Sequence, residues 1–241
     1  PPSSTPSSSP ASSATRGRDW LNGIIFDEHY LAGPLIAGGG MAEVYYATDT
    51  WLNDSPVAIK ILKPELAASP ENQRKFYSEE SSLRQMGGHV IGVLSSGEQT
   101  VRGQKLRYIV MEYVHGCTLG QLLRERGALS VGEALQILLP VVEGLSEAHA
   151  RRLVHSDIKP GNILLDVTET VADFGLTRRD DQALTGEIMG TPAYAAPELV
   201  KGQQTGAPAD IFALGVMMYL MFAGHLPFDG IANSSEVHRY N

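Results

Sequence analysis

Four short segments of the chain carry residues that chemistry can use. In Pro56-Val57-Ala58-Ile59-Lys60-Ile61-Leu62, strand alternation places Ala58, Lys60 and Leu62 on one face, so Lys60 is a cation set among apolar neighbours. Further on, Phe76, Leu83 and Met86 fall on one face of a helix, and Glu79 shares that face. A carboxylate in an apolar stripe needs a partner, because an unpaired buried charge is costly. Lys60 can be that partner; two snorkelling surface side chains are the other reading. The run Ile36-Ala37-Gly38-Gly39-Gly40-Met41-Ala42-Glu43-Val44 lies between two strands. Its glycines let backbone N–H groups approach an anion, although a plain hairpin turn uses glycine too. The segment from His155 to Leu165 gathers Asp157, Lys159 and Asn162 within six residues, and Asp173-Phe174-Gly175 follows a second short strand. Two carboxylates and an Asn on adjacent loops suit hard-oxygen coordination of Mg²⁺, which needs few protein ligands when phosphates supply the rest.

Positioning these groups falls to a strand-rich first half with one helix and a mostly helical second half. Strands are expected over 30–37, 43–49, 56–62 and 105–114, with Pro34 marking an edge. Ser69-Pro70 should cap and open the helix, and Gly87-Gly88 should close it. Ser130 and Glu133 have capping-box spacing ahead of Ala134, Leu138, Val141, Leu145 and Ala148, with Pro140 expected to bend that helix. The stretch 211–224 carries no charge and is too short to span a bilayer, so a fully buried core helix is expected. A β-rich half and an α-rich half imply two lobes with a cleft between them.

Composition narrows the classes. The 241 residues carry a net charge of −8 and no basic run longer than two, which argues against nucleic acid or an anionic membrane as partner. A single cysteine, Cys117, excludes an intrachain disulfide and a cysteine zinc site, as suits a reducing, cytoplasmic setting. Ser and Pro supply 11 of residues 1–19, which lack large apolar side chains and are expected to form a disordered linker.

The order of the motifs resembles the eukaryotic-type protein kinase family, and its bacterial members most: VAIK at 57–60, HSDIKPGN at 155–162, DFG at 173–175 and APE at 196–198. The resemblance implies an α+β, two-lobed kinase-like fold over 20–241, with an N-lobe at about 28–114 and a C-lobe at about 117–241 whose last helices are missing. It implies ATP- and Mg²⁺-dependent phosphoryl transfer to Ser or Thr of protein substrates, with Mn²⁺ as an alternative ion. Lys60 would hold the α- and β-phosphates, fixed by Glu79. The loop of Ile36, Ala37, Gly38, Gly39, Gly40, Met41, Ala42 and Val44 would cover the phosphates. Val44, Ala58 and Leu164 would sandwich adenine; Glu112 and Val114 would meet its edge through their backbone beside the gatekeeper Met111. Asn162 and Asp173 would bind the metal, and Asp157 would accept the hydroxyl proton. Lys159 and Gly190-Thr191 mark the Ser/Thr-specific subgroup, and Asp210 matches the family's structural aspartate.

There are departures. Ala37 and Ala42 replace two glycines of the loop motif, and Ala37 would impair it if that position needs positive φ. Ser156 replaces the catalytic-loop Arg that meets an activation-loop phosphate, so phosphorylation at Thr185 should matter less. Glu198 lacks a visible Arg partner in the sequence. His155 reads as structural, beneath Phe174, and Cys117 as a small buried side chain. Two other readings stay open: a kinase-like module acting by binding alone, and a small-molecule phosphotransferase.

Overall fold

The computed structural model describes residues 20–84, 86–166, 170–172, 178–179, 192–201, 203 and 206–227. The first half is a six-stranded antiparallel sheet in the order β1-β2-β3-β4-β6-β5. Its strands are β1 (Ile25–Phe26), β2 (Tyr30–Gly38), β3 (Ala42–Asp49), β4 (Ser55–Leu62), β5 (Val93–Val101) and β6 (Gln104–Glu112). Helix α1 (Pro70–Leu83) crosses between β4 and β5. The second half holds β7 (Gly116–Thr118), α2 (Leu119–Arg126), α3 (Val131–Ala150), β8 (Leu153–Val154), β9 (Ile163–Asp166), β10 (Thr170–Ala172), β11 (Arg178–Arg179), α4 (Pro197–Val200) and α5 (Ala207–Ala223). The fold is α+β, a sheet-built lobe followed by a helical one.

The sheet has two unlike faces, and strand alternation makes them. Val57, Ile59 and Ile61 of β4 join Tyr45, Ala47, Leu106, Tyr108 and Val110 in a closed apolar core. On the opposite face, Leu62 packs with Ala42, Ile109 and α1's Phe76, while Ala58 packs with Ile91 and Met111. Lys60 lies between these two clusters, half-buried. Pro34 sits where β2 has outrun its short neighbour β1, at a register irregularity between Ala32 and Leu35, so its missing N–H leaves no ladder bond unmade.

Helix ends follow local chemistry. Ser69 Oγ accepts from Asn72 N and Pro70 opens α1. The helix stops at Leu83, short of the expected Gly87-Gly88. Ser82 there turns its hydroxyl onto the Ser78 carbonyl, and Met86 N donates to the Leu83 carbonyl, so Met86 lies past the helix. The α3 capping box is complete: Ser130 Oγ accepts from Glu133 N, and Glu133 accepts from Ser130 N. The Ser130 hydroxyl and then Arg126 hold the Glu133 carboxyl down to about 2.

Two expectations need correction. Strand β6 ends at Glu112, not Val114, and β5 lies in a Ser- and Gly-containing segment that no apolar run marks. Gly97 belongs there because a Cβ would lie 2.7 Å from the Tyr108 hydroxyl across the ladder. Helix α5 is not fully buried either. Ala213, Leu214, Met217 and Met221 join the second core with α3's Ile137, Leu138, Val141 and Leu145, whereas Ile211, Tyr219 and Phe222 are exposed. An uncharged run shows no periodicity from which to choose a face.

The second core reaches both halves: Leu83 and Val90 join Leu119, Ile158 and Ile163 in it. Strands β7, β9 and β10 form a small sheet beside it. There β7 and β9 approach so closely that a Cβ on Gly116 would stand 1.7 Å from the Leu165 carbonyl oxygen. Gly116→Ala is therefore expected to cost about 1–3 kcal/mol, the usual range for overpacking, read as a lowered denaturation midpoint at unchanged m-value. A midpoint equal to the parent's would show that the strands separate freely.

Candidate active site

The site starts from a bent loop after β8. His155, Ser156 and Asp157 occupy consecutive positions, and Ser156 has φ +69°, unusual for a residue with a side chain. The conformation is held by Asp210, in the first turn of α5 and 1% exposed. Its Oδ2 accepts His155 N at 2.8 Å and bonds His149 Nε2 at 2.9 Å; its Oδ1 accepts Ser156 N at 2.8 Å. His155 is wholly buried, and its Nδ1 accepts from Asp157 N at 3.1 Å, which puts the ring proton on Nε2. This is a positioning histidine, as the sequence suggested; Phe174 lies outside the described residues.

That loop presents Asp157, 8% exposed. Lys159 Nζ donates to its Oδ2 at 2.6 Å, and Asn162 Nδ2 donates to the same oxygen at 3.0 Å and to the Asp157 carbonyl at 2.7 Å. The turn Pro160–Asn162, closed by Asn162 N on the Lys159 carbonyl, brings Asn162 back. Because the Asn162 amide nitrogen is committed to Asp157, its Oδ1 is the atom left to act as a hard-oxygen ligand. The companion metal candidate, Asp173, lies outside the described residues, as do Gly190, Thr191 and Thr185.

Beyond this cluster lies a group of packed apolar side chains. Ala58, Ile91 and Met111 form its buried base, and Val44, Tyr113, Val114 and Leu164 pack against them. Residues from β3, β4, β6, the segment after β6, and β9 thus meet. Sheet register is the reason: Val44 stands opposite Lys60, and Ala58 opposite Met111. Glu112 is tied at the end of β6, its N–H donating to the Gly92 carbonyl at 3.0 Å and its Oε2 accepting from Gly92 N at 3.1 Å. Gly92 is suited to this, because a Cβ there would press to 2.9 Å on the Glu112 carboxyl carbon. Ile91 and Tyr113 were not anticipated from sequence; Tyr113 lies two residues past Met111, whereas Ile91 arrives by tertiary packing alone.

The glycine run is the β2–β3 hairpin, paired at Ala37–Val44 and Gly38–Glu43 and closed by Gly39 N on the Ala42 carbonyl at 3.0 Å. None of Ala37, Gly38, Gly39, Gly40 or Ala42 has positive φ, so the alanines at the two variant positions are unstrained. A Cβ on Gly38 or Gly40 would have nothing within 4 Å. Ile36 through Gly40 are exposed, and Met41 packs beside Ala42 and Leu62.

A family model described as the protein kinase domain matches residues 30–240. The chain belongs to the protein kinase family. The "Probable serine/threonine-protein kinase pknA2" of Bifidobacterium longum is 38% identical over 203 residues, covering 80% of this chain and 26% of the relative. The "Probable serine/threonine-protein kinase PknB" of Corynebacterium glutamicum is 35% identical, covering 86% and 33%. The "Serine/threonine-protein kinase PknL" of Mycobacterium tuberculosis is 36% identical over 219 residues, covering 88% and 54%. The chain thus spans between about a quarter and about half of the length of these relatives.

Within this kinase domain, Glu79 lies on α1, whose Phe76 packs on the same sheet face that carries Lys60. The Glu79 side chain is outside the described residues. Cys117 is half-buried on β7 opposite Leu165, more open than the sequence suggested. Glu198 is half-buried in α4 with no side-chain partner among the described residues. No helix among the described residues is long and apolar enough to cross a membrane.

Asp210 is the test of how the loop is held. Asp210→Ala leaves the His155 and Ser156 N–H groups without their acceptor, at about 1–3 kcal/mol for each buried unsatisfied group. Chemical denaturation should show a loss of that order. A loss under about 0.5 kcal/mol, the size of an ordinary surface substitution, would mean the loop is held elsewhere.

Proposed function

We propose that this chain transfers the γ-phosphoryl group of ATP to Ser and Thr hydroxyls of proteins. The observation that carries the reading is one juxtaposition: an Asp157–Lys159–Asn162 cluster on a strained, anchored loop, in a domain whose sheet sets Lys60 beside packed apolar side chains. Family membership and the kinase names of the relatives support it.

Each group has work suited to its chemistry. Adenine is flat and mainly apolar, and the Val44, Ala58 and Leu164 side chains offer it apolar walls, with Met111 limiting depth. The backbone of Glu112 and Val114 supplies edge hydrogen bonds. Lys60 is a point charge for the α- and β-phosphates, with Glu79 as its proposed partner. The hairpin of Ile36 to Ala42 offers bare backbone to the β- and γ-phosphates, which explains glycines that the chain's own packing does not require. A divalent cation, Mg²⁺ or Mn²⁺, held by Asn162 Oδ1 and Asp173 would neutralise phosphate charge. Asp157 orients the acceptor hydroxyl and takes its proton, and Lys159, already on Asp157, lies ready for the transferring group. Positioning and charge neutralisation are what phosphoryl transfer chiefly needs.

Two measurements test this. With radiolabelled ATP and a generic protein substrate, Asp157→Asn should lose at least about 100-fold in rate, the lower range for a general base; equal incorporation by both proteins would sink the assignment. Gly38→Ala and Gly40→Ala should leave the melting temperature unchanged or slightly raised, since removing glycine freedom stabilises by about 0.4–1 kcal/mol where the backbone is compatible. Both should raise the KM for ATP, and an unaltered KM would remove the hairpin from the phosphate site.

A further inference from the structure

Residues 113–115 are the whole link between β6 and β7. The β4–β6 ladder ends at the pair Val57–Glu112, and the β7–β9 ladder begins at Gly116, so neither ladder includes the link. Tyr113 stands between Glu112 and Val114, the two residues whose backbone is assigned above to the adenine edge. Glu112 is tied to Gly92 on one side. At Tyr113 side-chain contact takes over from the ladder. Its ring meets Tyr46 of β3 edge to face, with centroids 5.1 Å apart and planes at 89°, and meets His115 at 4.9 Å and 84°.

Tyr46 is placed for this contact by the backbone around it. It lies two residues past Val44 and opposite Ala58, so it shares the sheet face that carries Lys60. The β2–β3 register jumps from Ala32–Ala47 to Leu35–Tyr45. Two residues, Gly33 and Pro34, therefore face Tyr46 where a regular ladder has one, and a bulge of this kind re-aims the side chain beside it. Gly33 supplies the room. A Cβ there would stand 3.3 Å from Tyr46 Cδ1 and 3.3 Å from the Tyr46 carbonyl oxygen. On the other side, Ala58 is a small partner that leaves the half-buried ring free to reach Tyr113.

We propose that Tyr46 is a positioning residue for nucleotide binding: its ring braces Tyr113, and through it the backbone of Glu112 and Val114, against β3. The proposal rests on the nucleotide site assigned under the kinase reading above. An edge-to-face pair fixes the orientation of two rings as well as burying their area. Because β3 also carries Val44, the brace ties one wall of the proposed adenine site and its hydrogen-bonding edge to the same strand. Tyr46 acts on the base through Tyr113, not by contact of its own.

The test uses the full chain with Tyr46→Leu, which loses the ring, and Tyr46→Phe, which keeps it. ATP affinity is read from the rise in melting temperature with ATP and Mg²⁺, and KM and kcat from transfer to a generic protein substrate. Tyr46→Leu should weaken ATP binding and raise KM about two- to tenfold, the worth of one aromatic pair, with the effect in KM and not in kcat. Tyr46→Phe should restore the parent's affinity and KM. In the Tyr113→Leu background, Tyr46→Leu should add no further loss. Where Tyr46→Leu does not fold, Tyr113→Leu parts the same rings from the other side and carries the same expectation. An unaltered ATP affinity, an equal loss with Leu and Phe, or a full further loss in the Tyr113→Leu background overturns the brace alone. ATP binding that responds as expected, without transfer to any substrate, overturns the kinase reading and upholds the brace. A parent chain that ATP does not stabilise overturns both.

Discussion

A single buried carboxylate, that of Asp210, fixes the arrangement on which the site depends. At 1% exposure it would be prohibitively costly without partners, and it has three donors: the His155 and Ser156 N–H groups and His149. They come from positions 54 to 61 residues away in the chain, so the aspartate closes the helical core onto the catalytic loop. The same bonds hold Ser156 at positive φ, a conformation of order 1–3 kcal/mol above the ordinary regions for a residue with a Cβ. Asp157 follows directly, and its direction is inherited from that twist. The residue type at 156 matters less than its N–H, which is how Ser stands where relatives of this pattern carry Arg.

The apolar side of the candidate site is built by a different principle. No single anchor holds Val44, Ala58 and Met111 together; strand register does, and Val114 and Leu164 pack against them from the segment after β6 and from β9. Ladder pairing sets Val44 across from Lys60 and Ala58 across from Met111, and the pleat sends them all to the face opposite the closed core. A slip of one residue in β4 would turn Lys60 into that closed core and Ile59 or Ile61 outward, which the burial of both forbids. Strand register thus fixes the face on which Lys60 lies.

These two principles explain what sequence could and could not reveal. Alternation made the face of Ala58, Lys60 and Leu62 readable, and caps made the starts of α1 and α3 readable, because both are local. The cluster of Asp157, Lys159 and Asn162 was readable because it spans six positions. Strand β5 was not: its Ser95, Ser96 and Gly97 hold a strand only through their pairing with β6 and the room Gly97 gives Tyr108. The early end of α1 depends on Ser82 bonding backward, and the half-buried face of α5 on what packs there. Both are settled by competition between near-equal local options. Ile91 entered the apolar cluster for the same reason, through tertiary contact that no motif encodes.

Charge placement follows from the same division. The apolar cluster around Ala58, Ile91 and Met111 carries no charged side chain among its members. Lys60 stands at the boundary between two apolar clusters and is half-buried there. On the helical lobe, Asp157 is nearly buried and carries Lys159 and Asn162 as donors to its carboxylate. The arrangement is set by the closed core, the register and Asp210, all outside the cluster of Asp157, Lys159 and Asn162.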